Sequence, residues 1–246
     1  MRKGSSMLVR AAGQGKRFAI MGDIHANLEA SQAVLADARG QGCDRFAFLG
    51  DFVGYYADPK ACVDIVRGLN APCVRGNHDD YCAGENSFEG FNPRAARAIR
   101  WTRAQLSEED RAWLRGLPLV KQVEEFTIVH ATLDRSENWG YVFDKIAAAA
   151  SLQRQTTPVC FFGHTHVPVA FVRDSTTRGG TFTKFEVEPG KSYFVNPGAV
   201  GQPRDNNLKA AYAVFDVGEG TIELRRCEYD IETARRKVEE AGLMGD

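Results

Sequence analysis

The sequence has 246 residues, with 31 Lys and Arg against 32 Asp and Glu, for a net charge of -1. That balance argues against a protein held to nucleic acid chiefly by phosphate neutralisation, and against a polybasic membrane-surface protein. At 43% hydrophobic and 26% charged residues the usage is that of an ordinary globular chain, long enough to bury a full core in one domain.

Residues 1–17 carry Arg2, Lys3, Arg10, Lys16 and Arg17 and no acid. No continuous apolar segment follows them, and no run approaches the roughly 18 apolar residues of a membrane helix. They are read as a flexible leader, and residues 18–246 as a single domain. The six cysteines form no CxxC pair and sit among apolar neighbours. This predicts buried free thiols in a reducing, cytoplasmic setting rather than a disulfide framework.

Strands and helices alternate at first. Phe18–Met21 is a short apolar run ending in Gly-Asp, and Asn27 can cap a helix with Leu28, Val34, Leu35 and Ala38 on one side. Phe46–Leu49 again ends in Gly-Asp. Pro59 suits the first turn of a helix carrying Cys62, Ile65, Val66 and Leu69. Pro72-Cys73-Val74 predicts a third strand, running into Gly76-Asn77-His78-Asp79. Residues 84–116 break the rhythm with an Arg-rich helix from about Asn92 and a second helix near Ser107. This helical insert carries Phe88, Phe91 and Trp101 and is placed to cap a site. Strands return at Val120–Val123 and Phe126–Val129, and a helix holding Ala147 to Ala150 precedes the strand Val159–Phe162. Val169–Arg173, Thr181–Val187, Tyr193–Val195, Ala211–Phe215 and Thr221–Arg225 then read as strands, before a closing helix from Ile231. Such an order suggests two sheets packed face to face with helices outside.

Five polar clusters fall at the ends of strands: Asp23-Ile24-His25, Gly50-Asp51, Gly76-Asn77-His78-Asp79, His130, and Gly163-His164-Thr165-His166. In open α/β sheets the carboxyl ends of strands form the usual ligand crevice, so clusters far apart in sequence can converge. On an extended segment, residues i and i+2 point to one side, which pairs Asp23 with His25 and His164 with His166. A carboxylate such as Asp51 has two oxygens and can bridge two cations. Imidazole, carboxylate and amide oxygen together suit Mn, Fe, Co, Ni or Zn. Taken singly, each cluster reads as a turn or a structural histidine. Taken jointly, in this order and at strand ends, they read as a metal site.

The order Asp-x-His, Gly-Asp, Gly-Asn-His-Asp, a lone His, Gly-His-x-His resembles the calcineurin-like metallophosphoesterase superfamily, over about residues 18–216. Gly22 through Asn27, Val53-Gly54-Tyr55 and Asn196 through Arg204 are similar to its small bacterial phosphodiesterase-like branch. The resemblance implies a four-layer αββα sandwich with two mixed β-sheets flanked by helices, around two divalent transition metal ions, manganese or iron favoured. It implies one metal on Asp23, His25, Asp51 and His166, and another on Asp51, Asn77, His130 and His164. It makes His78 the catalytic histidine beside the leaving group, with Asp79 orienting it or capping a turn, and Asn77 a contact to the substrate phosphate; Arg204, in the Gln-Pro-Arg-Asp stretch, reads either as a second phosphate contact or as a surface arginine after a turn proline. The expected reaction is phosphodiester hydrolysis by a metal-bridging hydroxide on a small substrate, nucleotides included, with no stable nucleic-acid or membrane partner. The alternatives are a phosphomonoesterase, a dinucleoside polyphosphate hydrolase, or a non-catalytic scaffold.

Two departures stand out. The protein Ser/Thr phosphatase branch places Asp-Arg-Gly after its second Gly-Asp, where this chain has Gly54-Tyr55-Tyr56. The family often has Gly after the lone histidine, where this chain has Ala131. Arg94, Arg97, Arg100 and Arg103 recur every three residues and drift around a helix, as a solvated face does rather than an anion clamp. Arg75 could face the site or form a salt bridge beneath the loop.

Overall fold

The structure is a computed structural model, and it describes residues 16–84 and 93–244. Of the expected leader, residues 1–15 lie outside the described residues. Arg17 already belongs to the first strand, and Lys16 pairs with Glu124 at 2.7 Å.

The N-terminal alternation builds a parallel crossover. Strand β1 (Arg17–Met21) leads to helix α1 (Leu28–Gly40), whose first turn is capped by the Asn27 side chain accepting from Ala30 N at 3.1 Å. Strand β2 (Arg45–Phe48) returns parallel to β1, and α2 (Pro59–Gly68) opens on its proline. The strand predicted at residues 72–74 does not extend; it makes a single parallel bridge, Phe48 with Cys73. The next segment is a helix, α3 (Asn77–Ala83), where a turn had been expected. Helices α4 (Pro93–Gln105) and α5 (Glu108–Arg115) pack on it. Leu106 and Leu114 join Cys82 in one cluster, and Trp113 lies 5.8 Å from the Phe52 ring. Phe88 and Phe91 lie outside the described residues.

The remainder is β3 (Val120–Val123), β4 (Phe126–Val129), α6 (Lys145–Arg154), β5 (Val159–Phe161), β6 (Val169–Arg173), β7 (Thr177–Gly180), β8 (Lys184–Glu186), β9 (Ser192–Asn196), β10 (Ala210–Asp216), β11 (Thr221–Cys227) and α7 (Ile231–Glu240). One sheet has the order β2-β1-β10-β11-β8, the other β3-β4-β5-β9-β6-β7, and both mix parallel with antiparallel pairs. The strand expected at residues 181–187 shortens to β8, and a strand that was not expected, β7, precedes it. β7 ends in Gly179-Gly180 on the second sheet, and β8 crosses to the first, where Phe185 opposes Ile222. Phe185 makes the crossing favourable by stacking on Tyr193 at 5.3 Å, within the core between the sheets.

Period-two alternation sorts the core into layers. Phe18, Ile20 and Phe215 of one sheet face Phe126, Ile128 and Phe161 of the other. Phe126 sits edge-on to Phe18, Phe161 and Phe215 at 5.0, 5.7 and 5.5 Å. Truncating such a ring to Ala costs about 3–5 kcal/mol. The alternate residues Ala19, Met21 and Val214 face Val34, Val63 and Val66 of α1 and α2. Cys160, Phe162 and Phe194 face Ala148 and Leu152 of α6. The result is the expected αββα sandwich. All six cysteines are buried free thiols, and among the described residues no helix is long and apolar enough to cross a membrane.

Candidate metal centre

The polar clusters converge where β1, β2, β4 and β5 end, at one edge of the sandwich. Backbone hydrogen bonds lace these strand ends together: Asp23 N to Gly50 O (3.0 Å), His25 N to Asp51 O (2.8 Å), and Gly163 N to His130 O (2.8 Å). Donor atoms of Asp23, His25, Asp51 and His166 lie within 4.8 Å of one another, as do those of Asp51, His130 and His164. Asp51 belongs to both groups. Asn77 joins the second group, its Oδ1 3.1 Å from His130 Nε2.

The predicted partners meet, but not by strand alternation. Asp23, His25, Asp51, His164 and His166 all have positive φ, between 52° and 69°. Non-glycine residues held there are strained by about 1–3 kcal/mol each, and such strain gathers at functional sites. Tight left-handed turns, rather than extended backbone, bring Asp23 to His25 and send His164 and His166 to different groups. Gly76 admits a close approach: a Cβ there would lie 2.1 Å from Asp51 Oδ1.

Surrounding backbone sets the histidine tautomers. Nδ1 of His25 faces Val53 O at 3.2 Å, Nδ1 of His130 faces Leu49 O at 2.7 Å, and Nδ1 of His166 faces Gln202 O at 2.6 Å. A carbonyl oxygen only accepts, so each Nδ1 carries a proton and turns Nε2 towards the site. A second ring nitrogen held on a backbone carbonyl is the usual support of a metal-binding imidazole. Burial lowers the affinity of His25 and His166 for a further proton. Their Nε2 lone pairs therefore face each other at 3.0 Å. Asp23 Oδ1 lies 3.5 Å from one and Asp51 Oδ2 3.6 Å from the other. Two lone pairs and two carboxylates around one point repel unless a cation joins them, so the donor set fits a divalent metal. His164 Nε2, buried with no hydrogen-bond partner, fits one in the second group.

Charge follows the same division. Burial and then the Asp51 charge push Asp79 up to about 7, and burial, against the pull of His130, raises Asp23 to about 7. Burial alone would raise Asp51 too, but the charges of His130 and His78 hold it well below the ordinary carboxylate value. Burial would lower His130, but Asp51, 3.4 Å away, pushes it up to about 9. Burial and the His130 charge lower His164 to about 3.

His78 donates its backbone N–H to Asp51 Oδ1 at 2.8 Å, and its ring lies beside those of Tyr55 (4.5 Å) and His25 (4.7 Å). Asp79 does not orient it and takes the capping alternative. The Asp79 carboxylate accepts instead from Asp51 N (2.7 Å), Phe52 N (2.8 Å) and Gly76 N (3.0 Å). It closes the first turn of α3 and braces the Asp51 loop, while His78 Nδ1 is buried against Gly54 with no hydrogen-bond partner. Arg204 stands at the rim, over the Tyr55 ring at 5.9 Å, and its charge acts on Asp23, His25, His78 and His166. Arg75 takes the salt-bridge reading, with Asp80 at 3.3 Å. Arg103 donates to Tyr81 O at 2.8 Å, and Arg97 and Arg100 lie on the exposed face of α4.

Sequence reasoning missed the supports. Asn196 donates to Gly163 O (2.7 Å) and Thr165 Oγ1 (3.0 Å), holding the His164–His166 turn. It stood in the quoted Asn-Pro-Gly stretch without a role. Tyr141, stacked on His164 at 4.2 Å, was missed altogether.

A family model for the calcineurin-like phosphoesterase superfamily domain matches residues 17–220. The chain belongs to this superfamily. The calcineurin-like phosphoesterase chain is 38% identical over 232 residues to the uncharacterized protein MJ0912 of Methanocaldococcus jannaschii, covering 90% of this chain and 91% of that one. It is also similar to the crystal structure of a metallophosphoesterase from Sphaerobacter thermophilus. That match has 38% identity, a TM-score of 0.82, and coverage of 94% of this chain and 96% of the other. The hypothetical protein PH1004 from Pyrococcus horikoshii shares the fold at 17% identity, with a TM-score of 0.76 and coverage of 93% and 94%.

Proposed function

We propose that this calcineurin-like phosphoesterase is a hydrolase of phosphodiesters that works with two divalent cations. The observation that carries the reading is the pair of buried donor groups sharing Asp51, with the His25 and His166 lone pairs turned to one point. One cation would rest on Asp23, His25, Asp51 and His166, the other on Asp51, Asn77, His130 and His164. When bound, the pair supplies Lewis acidity and water made acidic near neutral pH.

The remaining work falls to the chain. His78 is the catalytic residue that meets the leaving oxygen. Its Nδ1 is buried against Gly54, so Nε2 is the atom that hands over a proton. Asp79 is a positioning residue: three backbone N–H groups fix its carboxylate, and through it the Asp51 turn. Arg204 neutralises a phosphate oxygen. Its charge already acts on Asp23, His25, His78 and His166, which places it to pair with an anionic ester. The buried free thiols support a reducing, cytoplasmic setting.

The test is to load the metal-free protein with Mn and follow bis(p-nitrophenyl) phosphate against p-nitrophenyl phosphate. We expect two metal ions per chain and a higher kcat/KM for the diester. A metal-loaded protein that cleaves neither ester would refute the reading.

A further inference from the structure

The exposed side of the second donor group carries a row of aromatic rings that the proposed chemistry does not use. Residues 140–143 form an irregular segment, neither helix nor strand, between a short 3-10 turn (Ser136–Asn138) and α6. Val142 is 1% exposed and packs in the core beneath α6, whereas Tyr141 and Phe143 are 54% and 64% exposed. The stacking of the two rings puts both on one side of the segment. The two planes lie 5° apart with centroids at 5.5 Å, and Tyr141 in turn stacks on the His164 ring at 4.2 Å. An unbroken row of ring faces therefore runs from the buried donors out to solvent.

Isolated exposed aromatics are ordinary on protein surfaces. This row differs in being attached to the site at two points. Trp139, in the left-handed region at φ 52°, packs edge-on against the His130 ring at 5.8 Å, and its backbone hydrogen-bonds His164. Gly140 runs against Thr132, where a Cβ would come within 3.3 Å of the Thr132 methyl. Tyr141 and Phe143 are thus held in register with two of the donor imidazoles, though more than half of each side chain is left to solvent, Phe143 at the outer end of the row. Fixed, exposed π-faces beside a phosphate-directed centre are how proteins hold bases without reading their edges.

We infer that Tyr141 and Phe143 form a stacking subsite for a planar aromatic ester group, a nucleobase or an aryl ring, on the His164 side of the bound phosphate. The inference rests on the phosphodiesterase reading and narrows its substrate class to esters that carry such a ring. Tyr55, under Arg204, offers a cation over its ring rather than a free face, and so is left to the phosphate.

The experiment is calorimetric titration of the Mn-loaded full chain with adenosine 5'-monophosphate, phenyl phosphate and ribose 5-phosphate, beside turnover of bis(p-nitrophenyl) phosphate. Adenosine 5'-monophosphate should bind about fivefold or more tightly than ribose 5-phosphate, the lower end of what one stacked base is worth. Phenyl phosphate separates the two ring sources: affinity equal to that of the nucleotide means any aryl face is accepted, and intermediate affinity means the larger base is preferred. Phe143→Leu, which touches no donor ring, should reduce the ratio several-fold while ribose 5-phosphate binding stays unchanged, and Tyr141→Leu should reduce the ratio as well. Tyr141→Phe should preserve it. Intact turnover with a wild-type ratio near one, or a ratio unmoved by Phe143→Leu, overturns the stacking subsite. Absent turnover with the ratio intact overturns the hydrolase reading and leaves the subsite standing.

Discussion

Two carboxylate clusters in this molecule have opposite fates. On the outer face of the first sheet, Asp37 of α1 accepts hydrogen bonds from Tyr212 (2.7 Å) and from Arg225 Nε (3.2 Å) and Nη2 (3.1 Å). Burial would raise that carboxyl, but the Arg225 and Tyr212 bonds outweigh it and hold it below the ordinary value. At the candidate metal centre, Asp23 and Asp79 rise to about 7. The difference lies in the partner. Arg225 is a permanent cation, whereas His25, His164 and His166 are kept neutral by burial and bring lone pairs instead of charge. A cluster that supplies its own cation is structural. One that surrounds Asp23, Asp51 and Asp79 chiefly with neutral donors, His130 alone being held charged by Asp51, asks for further positive charge from outside.

The sharpest way to break this contrast is Asp51→Ala. Asp51 is common to both donor groups, so its loss should remove most bound metal by elemental analysis. It should also lower kcat/KM for a diester by at least about 10³-fold, the scale of several kcal/mol of metal-borne charge stabilisation. Asp37→Asn should change neither quantity. If Asp51→Ala kept full metal content, the distinction between the clusters would collapse.

How far the sequence revealed this site depends on which force places each residue. Asp23, Asp51, His130 and His164 were legible because an apolar run marks each preceding strand, and strand ends converge in such folds. The expected i, i+2 geometry failed at Asp23 and His25, where hydrogen bonds to the neighbouring Gly50 and Asp51 carbonyls impose left-handed turns that propensity does not announce. Asn77 to Asp79 read as a turn after a third strand. Instead Asp79 captures the Gly76 N–H, and a helix starts there, a tertiary outcome decided by contact with the Asp51 loop. Likewise the Tyr141 stack joins residues that no local pattern connects.

A smaller effect separates chemistry from coordination. His78→Gln should cut turnover by about 10²–10⁴-fold, the usual worth of a positioned proton donor, with metal content unchanged. Loss of metal in this variant would make His78 a ligand instead. Chelation probes the same division through stability. At a metal concentration about 100 times the dissociation constant, binding stabilises by about 2.7 kcal/mol, so removing the metal should lower Tm by roughly 5–10 °C. An unchanged Tm would mean that the neutral-donor cluster needs no cation.

The mildest expected effect belongs to the self-sufficient cluster and checks the contrast from the other side. Asp37→Asn keeps the shape of the side chain but removes the charge that Arg225 and Tyr212 bind, at a cost of about 1–2 kcal/mol at pH 7. Because the folded carboxyl is held below its unfolded value, its contribution is complete above about pH 4 and is lost as pH falls through the lowered folded value. The Tm gap between wild type and Asp37→Asn should therefore be widest near neutrality and close below pH 4, and adding or chelating metal should leave it unmoved. A gap that tracked metal instead of acid would mean that Asp37 responds to the distant centre, and that its arginine is not the cation that satisfies it.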